Sequence, residues 1–223
     1  MIGRNPVPAH RRLSLAAGLL YLATFAASIP AALLYAPLLA GAARPDPVAA
    51  RTAALLEVAL ALSCIGTAVV LAPVVRRVSE VAALGFVAAR TLEAGIIVLG
   101  VVAVLTLSGV RATAAPDDAV AQALVEVHRW AFLLGPGLIP AINALFLAPA
   151  LFRARFVPRA IPLVGMVGIP LLLASASATV FGVFDQTSPP AALAAAPIAL
   201  WELGLGLWLS IRGFRADAVE RLV

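Results

Sequence analysis

Arg90 and Glu93 stand three residues apart in "AARTLEAGIIVLG", residues 88–100, inside an apolar run long enough to cross a bilayer. Residues at i and i+3 share one face of a helix, so these two side chains can neutralise each other. A lone charge at the centre of a membrane helix costs about 2.5–3.5 kcal/mol on insertion scales. The pair therefore belongs in a bundle interior, either as glue between helices or as part of a site. Glu57, in "LLEVALALSCIGTAVV", shares its face with the small residues Ala61, Cys64 and Ala68. Glu202, in "WELGLGLWL", is followed one turn later by Gly206. Small residues mark surfaces where helix backbones approach closely, so both carboxyls are expected to look inward.

A fourth stretch, "VEVHRWAFLLGPGLIPAIN", holds Glu126, His128, Arg129 and Asn143 around Gly135, Pro136, Gly137 and Pro140. Its prolines remove two backbone donors, so this helix is not expected to run straight. The interruption is either an ordinary kink or the kind of break that lines a transporter cavity. If the helical phase survives it, Arg129, Pro136, Pro140 and Asn143 share a face, with His128 about a quarter-turn away.

Together the candidate polar site comprises Glu57, Arg90, Glu93, Glu126, His128, Arg129, Asn143 and Glu202. Its acids outnumber its bases. An embedded carboxyl without a cation is costly as an anion, which makes it a candidate proton carrier. Glu202 is the first choice for that role unless Arg90 or Arg129 reaches it, because its own helix carries no other charge before Arg212. His128 is the only histidine in an apolar run, His10 lying before the first, and Cys64 is the only cysteine. That supply excludes a disulfide framework, a four-Cys metal site and bis-His haem and weighs against a catalytic zinc site, which wants three protein ligands with His prominent, so neither a resident metal nor a cofactor is expected.

The elements that must position these residues are membrane helices. The chain has 223 residues, 63% hydrophobic and 12% charged, with a mean hydropathy of +1.05. That is more apolar surface than one water-soluble core of this size can hide. Apolar runs near 13–37, 53–75, 81–109, 121–152, 160–184 and 190–211 each reach the roughly 20 residues needed to span the hydrocarbon. They lack the alternation of a barrel, and open strands cannot face lipid. The expected fold is all-α, a polytopic bundle of six transmembrane helices forming a single integral membrane domain over residues 1–223. The first run is too long for the roughly 7–15 apolar residues of a signal peptide and is read as a helix.

Orientation follows from arginine. With the N-terminus in the cytoplasm, Arg4, Arg11, Arg12, Arg76, Arg77, Arg153, Arg155, Arg159, Arg212, Arg215 and Arg221 lie inside, against Arg44, Arg51 and Arg111 outside. This asymmetry places both termini in the cytoplasm and the protein in the inner (plasma) membrane. It also accounts for a formal charge of +5 without a nucleic-acid partner. The outer loops carry Asp46, Asp117, Asp118 and Asp185. Ser14, Gly18, Tyr21, Ser28 and Ala32 mark an expected packing stripe on the first helix, and Gly168, Ser175, Thr179 and Gly182 one on the fifth.

The order of phrases "GLLYLATFAASIPAALLY", "LLEVALALSCIGTAVVLAPVVRR", "VAARTLEAG", "HRWAFLLGPG", "ALFRARFVPRAIPLVG" and "WELGLGLWL" resembles a family of bacterial integral membrane proteins known only as a domain of unknown function. The resemblance covers nearly the whole chain. It implies six membrane helices and supplies no catalytic residues.

Three functional readings follow. The first is a small-solute transporter or permeation protein, coupled or not to protons, whose partners are the bilayer, a small solute and the proton. The second is a structural or partner-binding membrane subunit in which the polar pairs are glue. The third is a membrane-embedded enzyme using His128 with a nearby Glu.

Overall fold

The computed structural model describes residues 9–41, 46–113 and 119–215. Arg4, Arg44 and Arg221, which entered the orientation count, and Asp117 and Asp118 of the outer loops lie outside the described residues. The described chain forms seven helices: α1 Ala9–Leu39, α2 Pro47–Val75, α3 Glu80–Thr113, α4 Ala119–Leu134, α5 Ile139–Ala154, α6 Ala160–Val180 and α7 Pro189–Ile211. They make six crossings long and apolar enough to span a membrane, because α4 and α5 are the two halves of the fourth.

Helix ends follow local chemistry more closely than the edges of the apolar runs. Asp46 accepts from the Val48 amide at 2.8 Å and Pro47 opens the first turn, so α2 starts well before its apolar run. The fifth crossing stops at Val180 because Gly182 adopts φ +73°. Its amide donates to Thr179 O at 3.0 Å and the Val183 amide to Ala178 O at 2.9 Å, the paired bonds of a Schellman cap. Gly182 is therefore a helix stop exposed to its surroundings, and the expected stripe on this helix ends at Thr179.

In the fourth crossing, Gly135 to Leu138 form a non-helical turn. The Gly137 amide reaches back to Phe132 O at 2.9 Å, taking the carbonyl that Pro136 cannot serve. A Cβ on Gly137 would stand 2.5 Å from Leu133 O, so only glycine fits this turn. Pro140 has no N–H to offer the Pro136 carbonyl.

Packing follows chain order into a closed ring: α1 on α2, α2 on α3, α3 on α4 and α5, α5 on α6, α6 on α7, and α7 back on α1. The Arg-rich half holds the largest core, built around Phe86, Leu147, Leu151, Trp201, Leu205 and Leu209. The opposite half has a smaller core of α1, α2, α3 and α4, including Tyr35, Val104 and Leu107. Leucines and valines such as Leu33, Leu55, Leu62, Val69 and Leu84 face outward, as expected of surfaces that meet lipid. Arg11 does more than orient the chain: it donates to the carbonyls of Leu209 at 3.0 Å and Ser210 at 2.8 Å, capping the end of α7.

Candidate functional site

Side chains from five helices meet near the middle of the bundle. Arg90 on α3 is 1% exposed and Glu93 3%, and their bond, Nη1 to Oε2, is 3.0 Å long. The other terminal nitrogen of Arg90, Nη2, donates to Glu202 Oε1 on α7. Asn143 on α5 donates to Glu93 Oε2 at 2.7 Å, and Arg90 Nη1 also reaches Cys64 Sγ on α2 at 3.6 Å. The guanidinium carbon lies 5.1 Å from the centre of the Tyr21 ring and 5.8 Å from that of Phe86, so aromatic faces supply part of the environment that water would give. Two carboxylates around one guanidinium leave one negative charge to be balanced when both are ionised. The planar fork of arginine suits this task because separate N–H groups can serve separate carboxylates.

Glu202 therefore has the partner that its own helix does not supply: of the two arginines that could reach it, Arg90 does so across the ring, and Glu202 loses first place as the unpaired carboxyl. Among the described residues, the buried carboxyl without a cation is Glu57. Among the described residues no Arg or His nitrogen forms an ion pair with it, whereas Glu93, Glu126, Asp185 and Glu202 each pair with an arginine. Glu57 is 7% exposed and its Oε2 makes no hydrogen bond. The Tyr35 hydroxyl lies beside it, close enough to interact but without the geometry of a full hydrogen bond. Next to Tyr35, at 5.5 Å between ring centres and nearly edge-on, stands His128.

Glu126 and Arg129 do not join either buried group. They pair with each other at 3.3 Å on an exposed face, and Arg129 also binds Asp185 at 3.0 Å. Exposed pairs of this kind are worth about 0–1 kcal/mol in water. The expected common face of Arg129 and Asn143 is lost because the turn at Gly135–Leu138 breaks the helical phase: Arg129 is exposed and Asn143 is buried. On α1 the buried stripe after Tyr21 runs through Ala27, Ala31 and Tyr35, in place of the expected Ser28 and Ala32. A straight helix at 3.6 residues per turn drifts away from a strict seven-residue repeat.

Two cavities flank these groups. One of about 250 Å³ lies between the broken crossing and α6 and α7, lined by Phe132, Pro136, Gly137, Ser175, Thr179 and Gln186, and it reaches Glu202. A second, of about 560 Å³, lies between α1 and α4 and reaches Tyr35, Glu57 and His128. Phe132 and Gln186 line both. The residue types and their order along the crossings agree with one family over nearly the whole chain: the profile of the domain of unknown function DUF4386 matches residues 16–213. The chain belongs to this family. Every residue of the buried cluster and of both cavities falls within the matched span of the family. No curated protein and no solved structure matches the chain.

The sequence reading missed Tyr35, Phe132 and Gln186 as site residues and took Cys64 for inert packing. Tyr35 carried a usable signal, since a phenol in an apolar crossing needs a polar neighbour. Phe132 and Gln186 carried none, because Phe132 is one apolar residue among many on α4 and Gln186 lies in the connection between α6 and α7.

Proposed function

We propose that the protein carries a small solute across the membrane, with the cavity at the broken crossing as the solute site and the Arg90–Glu93–Glu202 cluster as its floor. The observation that carries this reading is the position of Glu202. Its side chain is 13% exposed, faces the cavity, and is bound from behind by Arg90. A broken helix beside a charged group in mid-membrane is the arrangement that transporters use to bind solutes and couple ions. The uncompensated charge of the cluster gives a cation or a proton a reason to enter from the cavity. We place the protein in the plasma membrane with its Arg-rich end in the cytoplasm.

Purified protein in liposomes loaded with a pH-sensitive dye tests the reading. With a panel of small amines, carboxylates and sugars applied outside, at least one class is expected to change the internal pH beyond that of protein-free liposomes. The competing reading, a structural subunit, draws on the near-complete burial of Arg90 and Glu93 and predicts no change with any of them.

Topology has its own test. Reporters fused after residue 77, after residue 156 and at the C-terminus are expected to read as cytoplasmic, and those near 45, 116 and 187 as external. External fusions that read as cytoplasmic would reverse the orientation.

A further inference from the structure

The cavity between α1 and α4 is not needed for the cluster at Glu202, yet it holds the most exacting polar groups in the protein. Tyr35 Oη and Glu57 Oε2 are both buried, and although the two side chains lie close enough to interact, neither atom makes a hydrogen bond of full geometry. A buried polar atom without a partner costs about 1–3 kcal/mol, more when it is charged. Arg129 stands at the rim, but it is already engaged by Glu126 and Asp185. Asp185, Gln186 and Thr187 line the same rim, and the deeper wall is apolar or aromatic, from Ala32, Ala36 and Leu39 on one side to Val125 and Phe132 on the other. The His128 ring stands between Tyr35 and Phe132, with its Nδ1 edge against Gly100 of α3.

From these groups we infer that the Tyr35–Glu57–His128 cavity binds a primary ammonium group carried on an apolar body. An ammonium has three N–H donors and no acceptor. One donor satisfies Glu57 Oε2, a second satisfies Tyr35 Oη, and the positive charge supplies the counter-ion that no residue provides. The ring of Phe132 or Tyr35 adds attraction to the cation, and the small side chains of α1 leave room for the apolar body. A neutral alcohol would satisfy the hydrogen bonds but leave the carboxyl without its cation. The same chemistry is presented by a free amine and by an ethanolamine lipid headgroup. The assignment is one of equilibrium binding and stands whether or not the protein transports.

Tryptamine and tryptophol, which differ only in an amine against a hydroxyl, test it on the full chain in phosphatidylglycerol nanodiscs by titration calorimetry. Saturable tryptamine binding is expected, at least about tenfold tighter than tryptophol, and Glu57→Gln should weaken tryptamine by at least about tenfold while leaving tryptophol unchanged. Ala36→Phe, which fills the cavity and keeps the carboxyl, should also abolish tryptamine binding, so the result does not depend on one variant. Phosphatidylethanolamine in the nanodisc separates the sources: a weaker apparent tryptamine affinity identifies the headgroup as the resident amine, and an unchanged one a free amine. Equal binding of the two indoles, or a Glu57→Gln protein that binds tryptamine as the wild type does, would overturn the assignment.

Discussion

Arg90→Ala is expected to remove about 3–5 kcal/mol of stability, the cost of leaving buried carboxylates without their cation. Arg90 alone joins Glu93 to Glu202 and so ties α3 to α7 across the ring. The loss should therefore not add to the effects of removing the carboxylates. Arg90→Ala combined with Glu93→Gln and Glu202→Gln should recover most of it, because neutral amides leave no buried charge to balance. Arg90→Lys should remain destabilised, since a single ammonium lacks the fork that meets two separate carboxylates. Thermal melts of the purified variants in one detergent give the cycle directly. Additive losses would remove the ion cluster from the account of what holds the ring together.

Gly18→Ala is the second large effect. A Cβ at this position would lie 2.5 Å from the Ser210 amide nitrogen and 2.7 Å from the Gly206 carbonyl oxygen. Both are backbone atoms of α7, so neither can move without moving the helix. Overpacking of this kind costs about 1–3 kcal/mol, and a backbone clash places Gly18→Ala at or above the top of that range. It strikes where α1 and α7 close the ring, so Glu202 should shift from Arg90 as well. Gly95→Ala provides the control: its added methyl meets nothing within 4 Å, and helix propensity favours it by about 0.5–1 kcal/mol. A Gly18→Ala protein that melts with the wild type would mean that α1 and α7 are not in backbone contact.

Much of this was legible in the sequence because lipid imposes few solutions. Apolar length gave six crossings, and the prolines around Gly137 marked the one that breaks. The spacing of Arg90 and Glu93 was enough to pair them, and the small residues beside Glu57 and Glu202 were enough to turn both inward. Which carboxyl takes the spare nitrogen of Arg90 was not legible, since the bond to Glu202 joins residues 112 positions apart and depends on how the ring closes. For the same reason Glu202 looked unpartnered from its own helix, while Glu57 kept no cation in the fold. Glu126 and Arg129 read as embedded because the run around them is apolar, but α4 turns both outward. Both cavities were invisible beforehand: each is bounded by residues from helices far apart in the chain that only the closing of the ring brings together.

Glu202→Gln in proteoliposomes tests the central claim most directly. The substitution keeps the shape of the side chain and leaves Arg90 paired with Glu93, so the protein should melt within a few degrees of the wild type. Solute-driven change of internal pH should nevertheless fall to the level of protein-free liposomes, because the carboxylate that faces the cavity is gone. A folded Glu202→Gln protein that supports the wild-type flux would contradict a solute path through this cavity.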